Sequence, residues 1–256
     1  MTTGLRHLRL AAVNIDGVLL NDSFSPVIRE MVIDHGGEYT REVERALLSQ
    51  SQLTAAAVFA EATRTTTTPR ELVAEYLARR EEYVARNPVR VLDGAGELLE
   101  LLRALGLKVV CYGGLDRSHF DRHLGGFAAL FDDPGYVCTD SFRPGIREIT
   151  QDVFSLPYDR AVFVDDVARV AETARTLGVP FIGHPNPQGE YQRELMERAG
   201  ARHIVRTLRD IDEQLLRTVD QEAMTGTAWD TGEPAPPAAG RERETAGRGS
   251  EQEREE

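Results

Sequence analysis

The chain is 256 residues long and carries a net charge of −12, with 42 Asp and Glu against 30 Lys and Arg. That length buries one sizeable core, or one core with a small appended domain. The negative balance speaks against a nucleic-acid partner, which needs a basic face to neutralise phosphates, and no run of eighteen apolar residues is present to span a membrane. The first apolar run is too short for a signal peptide and leads straight into a strand pattern, so the expectation is a cytoplasmic protein. Cys111 and Cys138 both lie in apolar segments and read as reduced core thiols rather than a disulfide or a metal pair. Lys108 is the only lysine; every other fixed positive side chain is arginine.

In chain order, Leu8 to Val13 is a continuous apolar run that reads as a buried strand. It meets the polar turn Asn14-Ile15-Asp16-Gly17 at its carboxyl end. From there to Pro88 the pattern is helical throughout. Helices are predicted over Pro26 to His35, Arg41 to Ser49 with Thr40 as cap, Leu53 to Ala62, and Pro69 to Arg86 with proline at the first turn that tolerates it. After Asn87-Pro88 strands and helices alternate. The helices are Gly94 to Leu105, Asp116 to Leu124, Gly145 to Phe154, Val167 to Leu177, Glu190 to Ala199 and Leu208 to about Val219. The strands are Lys108 to Tyr112, Tyr136 to Thr139, Ala161 to Val164, Pro180 to Ile182 and His203 to Val205. Apolar strands separated by helices of this length predict an α/β fold, a Rossmann-like parallel sheet covered on both faces. The expected division is a core over residues 1–20 and 89–225, a helical insertion over 21–88, and a tail over 226–256. The tail is rich in Pro, Gly, Arg and Glu without apolar periodicity, and its composition predicts disorder.

In a sheet of this kind the ligand site lies outside the carboxyl ends of the strands. The polar residues there are Asn14 and Asp16, then Tyr112, Gly113 and Gly114, then Thr139 to Arg143, then Asp165 and Asp166. Acidic side chains gathered this way are costly unless a hard cation sits among them, and Mg²⁺ suits such oxygen ligands. Plainer readings stand beside this one. Asn14 to Gly17 suits a strand-ending turn, Asp165-Asp166 suits the cap of the following helix, Tyr112 suits packing at a strand end, Arg143 suits the surface, and His184 suits a loop.

The order of these features resembles the haloacid dehalogenase superfamily. It runs from a strand ending in Asx-x-Asp-Gly-Val-Leu through a helical insertion to Asp93-Gly94 opening a leucine-rich helix. Gly106-Leu107-Lys108 then enters a strand, Arg143 precedes Pro144, and Val162-Phe163-Val164-Asp165-Asp166 closes the series. The resemblance covers roughly residues 8–219 and implies a Mg²⁺-dependent, phosphatase-like protein whose insertion is a helical cap. It places a nucleophilic aspartate at position 14, where this chain has Asn14, and a general acid and base at Asp16. It gives Arg143 the charge-balancing role usually held by lysine. Phosphate contacts fall to Tyr112, Gly113, Gly114 and Arg143, and Mg²⁺ to Asp166 directly, Asp165 through water, the backbone carbonyl of Asp16 and the side chain of Asn14. An amide oxygen is too poor a nucleophile to form an aspartyl-phosphate. Two functions follow: a phosphatase-like protein that acts on or binds a small phosphorylated metabolite, or a catalytically inactive relative that binds a ligand or a protein partner through its cap or acidic tail.

Overall fold

A computed structural model describes residues 4–187 and 191–229. Residues 230–256, most of the expected tail, lie outside them. The sheet has six parallel strands in the order β3-β2-β1-β4-β5-β6. They are β1 (Leu10–Asn14), β2 (Lys108–Gly113), β3 (Tyr136–Cys138), β4 (Ala161–Asp165), β5 (Phe181–Gly183) and β6 (His203–Ile204). The two central strands, β1 and β4, are buried along their whole length, which is why their sequences are apolar without alternation. Alternation survives in which face each residue serves. Ala11, Val13, Val109, Cys111, Val162 and Val164 pack into one core, whereas Leu10, Ala12, Val110, Tyr112, Ala161 and Phe163 pack into the other.

Helices α5 (Ala95–Ala104), α6 (Arg117–Leu124) and α9 (Glu213–Thr225) supply apolar side chains to the first core; α7 (Ala168–Leu177) and α8 (Gln192–Arg198) supply the second. The leucines of α5 fall at helical spacing, and Leu98, Leu99 and Leu102 are buried. Each contributes about 1.5–3 kcal/mol when fully removed from water.

Between β1 and β2 lie α1 (Ser25–Asp34), α2 (Arg41–Leu47), α3 (Gln52–Thr63) and α4 (Pro69–Arg86). They pack on one another around a third cluster that includes Val27, Met31, Val32, Leu47, Phe59 and Leu72. Their starts follow from local chemistry: Thr40, Ser51 and Thr68 each accept a backbone N–H from the first turn, and Thr68 with Glu71 forms a reciprocal capping box.

Two segments differ from the sequence expectation. The helix expected from Leu208 is a short 3₁₀ turn, Leu208–Asp210, followed by α9, which begins only after Asp212 and runs to Thr225. The cause is Asp212, whose carboxylate accepts the N–H of Leu215, while Gly226 in the left-handed region stops the helix. The segment Gly145 to Phe154 contains a π-helical stretch, Glu148–Val153. Beyond α9, Trp229 stacks on Phe181 and its indole N–H donates to the carbonyl of Val179, so the packed chain continues past residue 225.

Candidate functional site

β1 ends in Asn14, and the next residues turn sharply instead of continuing the strand. The N–H of Gly17 donates to the carbonyl of Leu20, and Gly17 sits at φ +86°, a conformation open mainly to glycine. Space imposes the same choice. A β-carbon at position 17 would lie 2.0 Å from Oδ2 of Asp166. Behind this turn, His184 is buried, with Nδ1 3.1 Å from the carbonyl of Gly17. A carbonyl only accepts, so the imidazole carries its proton on Nδ1 there. The sequence placed His184 in a loop, and it follows β5 as a loop residue should, but it also supports the turn that holds the site.

Burial pushes the pKa of His184 below the ordinary histidine value, more than the hydrogen bond to Gly17 raises it. A base whose folded pKa is depressed contributes stability at pH above its unfolded value of about 6.5 and loses it as pH falls below that value. Thermal unfolding between pH 7.5 and 5.5 should therefore show a steeper acid-side loss in the native protein than in His184→Gln. The opposite shifts of the buried aspartates are common to both proteins and cancel in the difference. Parallel curves would remove this role from His184.

Asn14 ends β1 and Asp166 follows the end of the neighbouring β4, and Nδ2 of Asn14 donates to Oδ1 of Asp166 over 3.0 Å. Asp165 points the other way. Its Oδ1 accepts the N–H of Val167 over 2.8 Å, and its Oδ2 accepts a short hydrogen bond from the hydroxyl of Tyr112, which is fully buried. Asp165 thus braces the turn before α7, whose own N-cap, Val167, has no side-chain cap, so neither acid caps the helix as the plainer reading expected; Asp166 lines the cavity. Burial raises the pKa of both carboxyls. Asp165 is pushed up to about 6, offset in part by the Tyr112 hydrogen bond, and Asp166 goes well above the usual range, with Asp165 and Asp22 adding repulsion.

Asp16 has a partner that the sequence did not single out. Nε2 of His119, on α6, lies 2.9 Å from Oδ1 of Asp16, and both side chains are about nine-tenths buried. The ring of His119 meets that of His123 edge-on at 4.9 Å. The available signal was Asp116 capping a helix that follows a strand-ending Gly-Gly, which puts the first turn of α6 beside the site. Nothing in the sequence indicated that its histidine reaches back to β1.

At the end of β2, Gly113 approaches Ile15 so closely that a β-carbon would lie 2.4 Å from its Cγ2. A serine or threonine at that position has no room. Gly114 leaves its space to Arg143: a β-carbon at 114 would lie 2.0 Å from Nη2. Arg143 is therefore laid over the end of β2, and its Nε is buried without a hydrogen-bond partner among the described residues. A buried N–H left unpaired costs about 1–3 kcal/mol, more on a charged group.

A cavity of ≈ 170 Å³ separates this edge from α1–α4. Asn14, Asp16, Gly114, Asp140, Arg143 and Asp166 line it on the sheet side; Ile28, Phe59, Leu72 and Tyr76 are among the side chains that line it on the helical side. Asp22 also faces it, but its carboxylate accepts the backbone N–H groups of Phe24 and Ser25. The structure brings Asn14, Asp16, Gly114, Arg143 and Asp166 to one cavity. Tyr112, Gly113 and Asp165 lie behind it and do not line it. The ligand set expected for Mg²⁺ is divided accordingly. Among the described residues no three His, Cys, Asp or Glu side chains converge as a metal site. Asp16 and Asp166 each accept a protein donor at Oδ1 only, so with Asn14 they are the residues at the cavity that would hold the ion, whereas Asp165, bonded to Tyr112 and to the N–H of Val167, does not line it.

No family model matches the chain, and no curated protein matches it. Solved structures do. A phosphonoacetaldehyde hydrolase-like protein from Oleispira antarctica is 14% identical with a TM-score of 0.62, covering 88% of this chain and 97% of its own. A haloacid dehalogenase-like protein from Agrobacterium tumefaciens is 19% identical with a TM-score of 0.60, covering 82% and 99%. A HAD family hydrolase from Deinococcus radiodurans, crystallised with phosphate and sodium, is 18% identical with a TM-score of 0.54, covering 83% and 97%. At these identities the likeness is one of fold: the chain has the fold of these haloacid dehalogenase-like structures.

Proposed function

We propose that the cavity binds a small phosphorylated metabolite and that the covalent phosphatase route is closed. The observation that carries this reading is Arg143, whose guanidinium lies over Gly114 at the cavity wall with a buried Nε that lacks a partner. A phosphoryl oxygen is the acceptor such a group needs, and a guanidinium offers two parallel bonds to it. Asn14 sits where a nucleophile would attack. Its amide is neutral, so it adds no repulsion against an anionic ligand, and it makes no aspartyl-phosphate. Oδ1 of Asp16 is already held by Nε2 of His119 over 2.9 Å, so that oxygen is not free to take a proton from water. Helices α1–α4 act as a cap, and their apolar walls receive the body of the ligand. The phosphate bound in the Deinococcus radiodurans protein supports an anion site on this fold.

The test is a calorimetric titration of the protein with a panel of phosphorylated metabolites, run beside a phosphate-release assay on the same panel. Binding without turnover is the expected result. Absence of binding across the panel overturns the reading, and turnover that depends on Asp16 replaces it with a non-covalent hydrolase.

A further inference from the structure

The cavity has two chemically different walls. Arg143 and the acids stand on the sheet side, whereas the helices present Ile28 and Met31 of α1, Leu47 of α2, Phe59 of α3 and Leu72 of α4. Met31, Leu47, Phe59 and Leu72 also belong to the apolar cluster that holds the four helices together, so this wall is fixed by the packing of the helical unit itself. The polar side chains on the helical side, Ser25, Ser49, Gln50 and Gln52, lie at the start of α1 and around the junction of α2 with α3. Within the helices the hydroxyl of Tyr76 on α4 is the exception, and burial raises its pKa above the ordinary phenol value, so it stays neutral.

Such a wall discriminates between the bodies of phosphate esters. A hydroxyl moved from water against apolar side chains without a partner costs free energy, and a sugar or polyol carries several. A ring or a branched alkyl chain gains by the same move. An apolar cavity of about 150 Å³ takes up a benzene ring. The space here, ≈ 170 Å³, is of the same order.

We propose that the metabolite is a phosphomonoester of a compact apolar alcohol or phenol, held by its phosphoryl group at Arg143 and by its body against α1, α3 and α4, and that esters of sugars and polyols are rejected. This class assignment rests on the anion-binding reading above and adds to it the nature of the ester. The phosphoryl group is common to both classes of ester, so Arg143 cannot choose between them. The choice falls to the helical wall, through the desolvation of the body.

Inorganic phosphate, phenyl phosphate and glycerol phosphate, a polyol ester no larger than phenyl phosphate, are each titrated calorimetrically into the native protein. MgCl₂ is present in every buffer, so that any need for the metal is met equally. Phenylphosphonate, which has no ester bond, takes the place of phenyl phosphate if phosphate is released. Phenyl phosphate is expected to bind about 30-fold more tightly than inorganic phosphate, and glycerol phosphate to gain no more than about threefold. Glycerol phosphate binding as tightly as phenyl phosphate overturns the inference. If inorganic phosphate binds and phenyl phosphate gains nothing over it, the class of ester is wrong while the anion site stands. If none of the three binds, the anion-binding reading fails and this assignment fails with it. Ile28 is only half-buried and packs at the margin of the apolar cluster, so Ile28→Gln changes the wall with least damage to the fold. The affinity ratio of phenyl phosphate to inorganic phosphate is expected to fall about fivefold in this variant, and an unchanged ratio removes the body of the ligand from the helical wall. Should Ile28→Gln not fold, the native panel decides without it.

Discussion

Gly17→Ala is expected to destabilise the protein by about 3–4 kcal/mol, or to prevent folding, which corresponds to a fall in Tm of about 10 °C in a domain of this size. Two costs add. A residue with a β-carbon pays about 1–2 kcal/mol to adopt the left-handed conformation that Gly17 holds at φ +86°. The second cost is steric. The new carbon would meet Oδ2 of Asp166 at 2.0 Å, and that carboxylate is fixed from its other oxygen by Asn14. Moving it breaks a buried hydrogen bond, worth about 1–3 kcal/mol when a partner is left unpaired. Gly36→Ala separates the two costs, because Gly36 also has a positive φ of +77° but has open space around its β-position. It should lose only the backbone share. Urea unfolding of both variants checks this, and equal losses would show that the approach of Asp166 contributes nothing.

The largest effect on binding is expected at Arg143. Arg143→Ala should weaken the phosphorylated ligand identified by titration by about 100-fold, equivalent to about 2.7 kcal/mol, while changing stability by less than about 1 kcal/mol. Stability is spared because the deleted group has an unpaired buried Nε and no ion pair among the described residues. Arg143→Lys keeps the charge but loses the forked geometry and should recover only part of the affinity. Gly114→Ala provides an independent route to the same result. Its β-carbon would meet Nη2 of Arg143, the far end of a flexible side chain, and push it aside without straining the backbone. The fold should survive and the ligand should be lost. Full affinity in Gly114→Ala would mean that the guanidinium does not act from over the end of β2.

Much of the fold was legible because it rests on local rules. The apolar runs of β1 and β4 could only be strands buried on both faces, and α4 begins and ends where Thr68-Pro69 and Asn87-Pro88 set its limits. Asp212 was the local signal that went unread. It competes with the preceding Thr207 as a cap, and the later one starts the long helix, so α9 begins five residues further along the chain than expected. The positions of Asn14, Asp16, Arg143 and Asp166 beyond the strand ends followed from the alternation of strands and helices, and all four line one cavity.

Sequence by itself determined the doubly covered parallel sheet, because burial on both faces demands apolar strands and each crossover demands a helix. It also determined which polar residues could meet, because the carboxyl ends of parallel strands lie at one edge. Only the tertiary structure decided how those residues are partnered. His119 reaches Asp16 from a helix more than a hundred residues away in sequence, Tyr112 turns its hydroxyl under the sheet edge to Asp165, and Arg143 occupies the space that Gly114 leaves. Such contacts depend on distances across elements and on the direction of each side chain, and no periodicity or spacing along the chain encodes either.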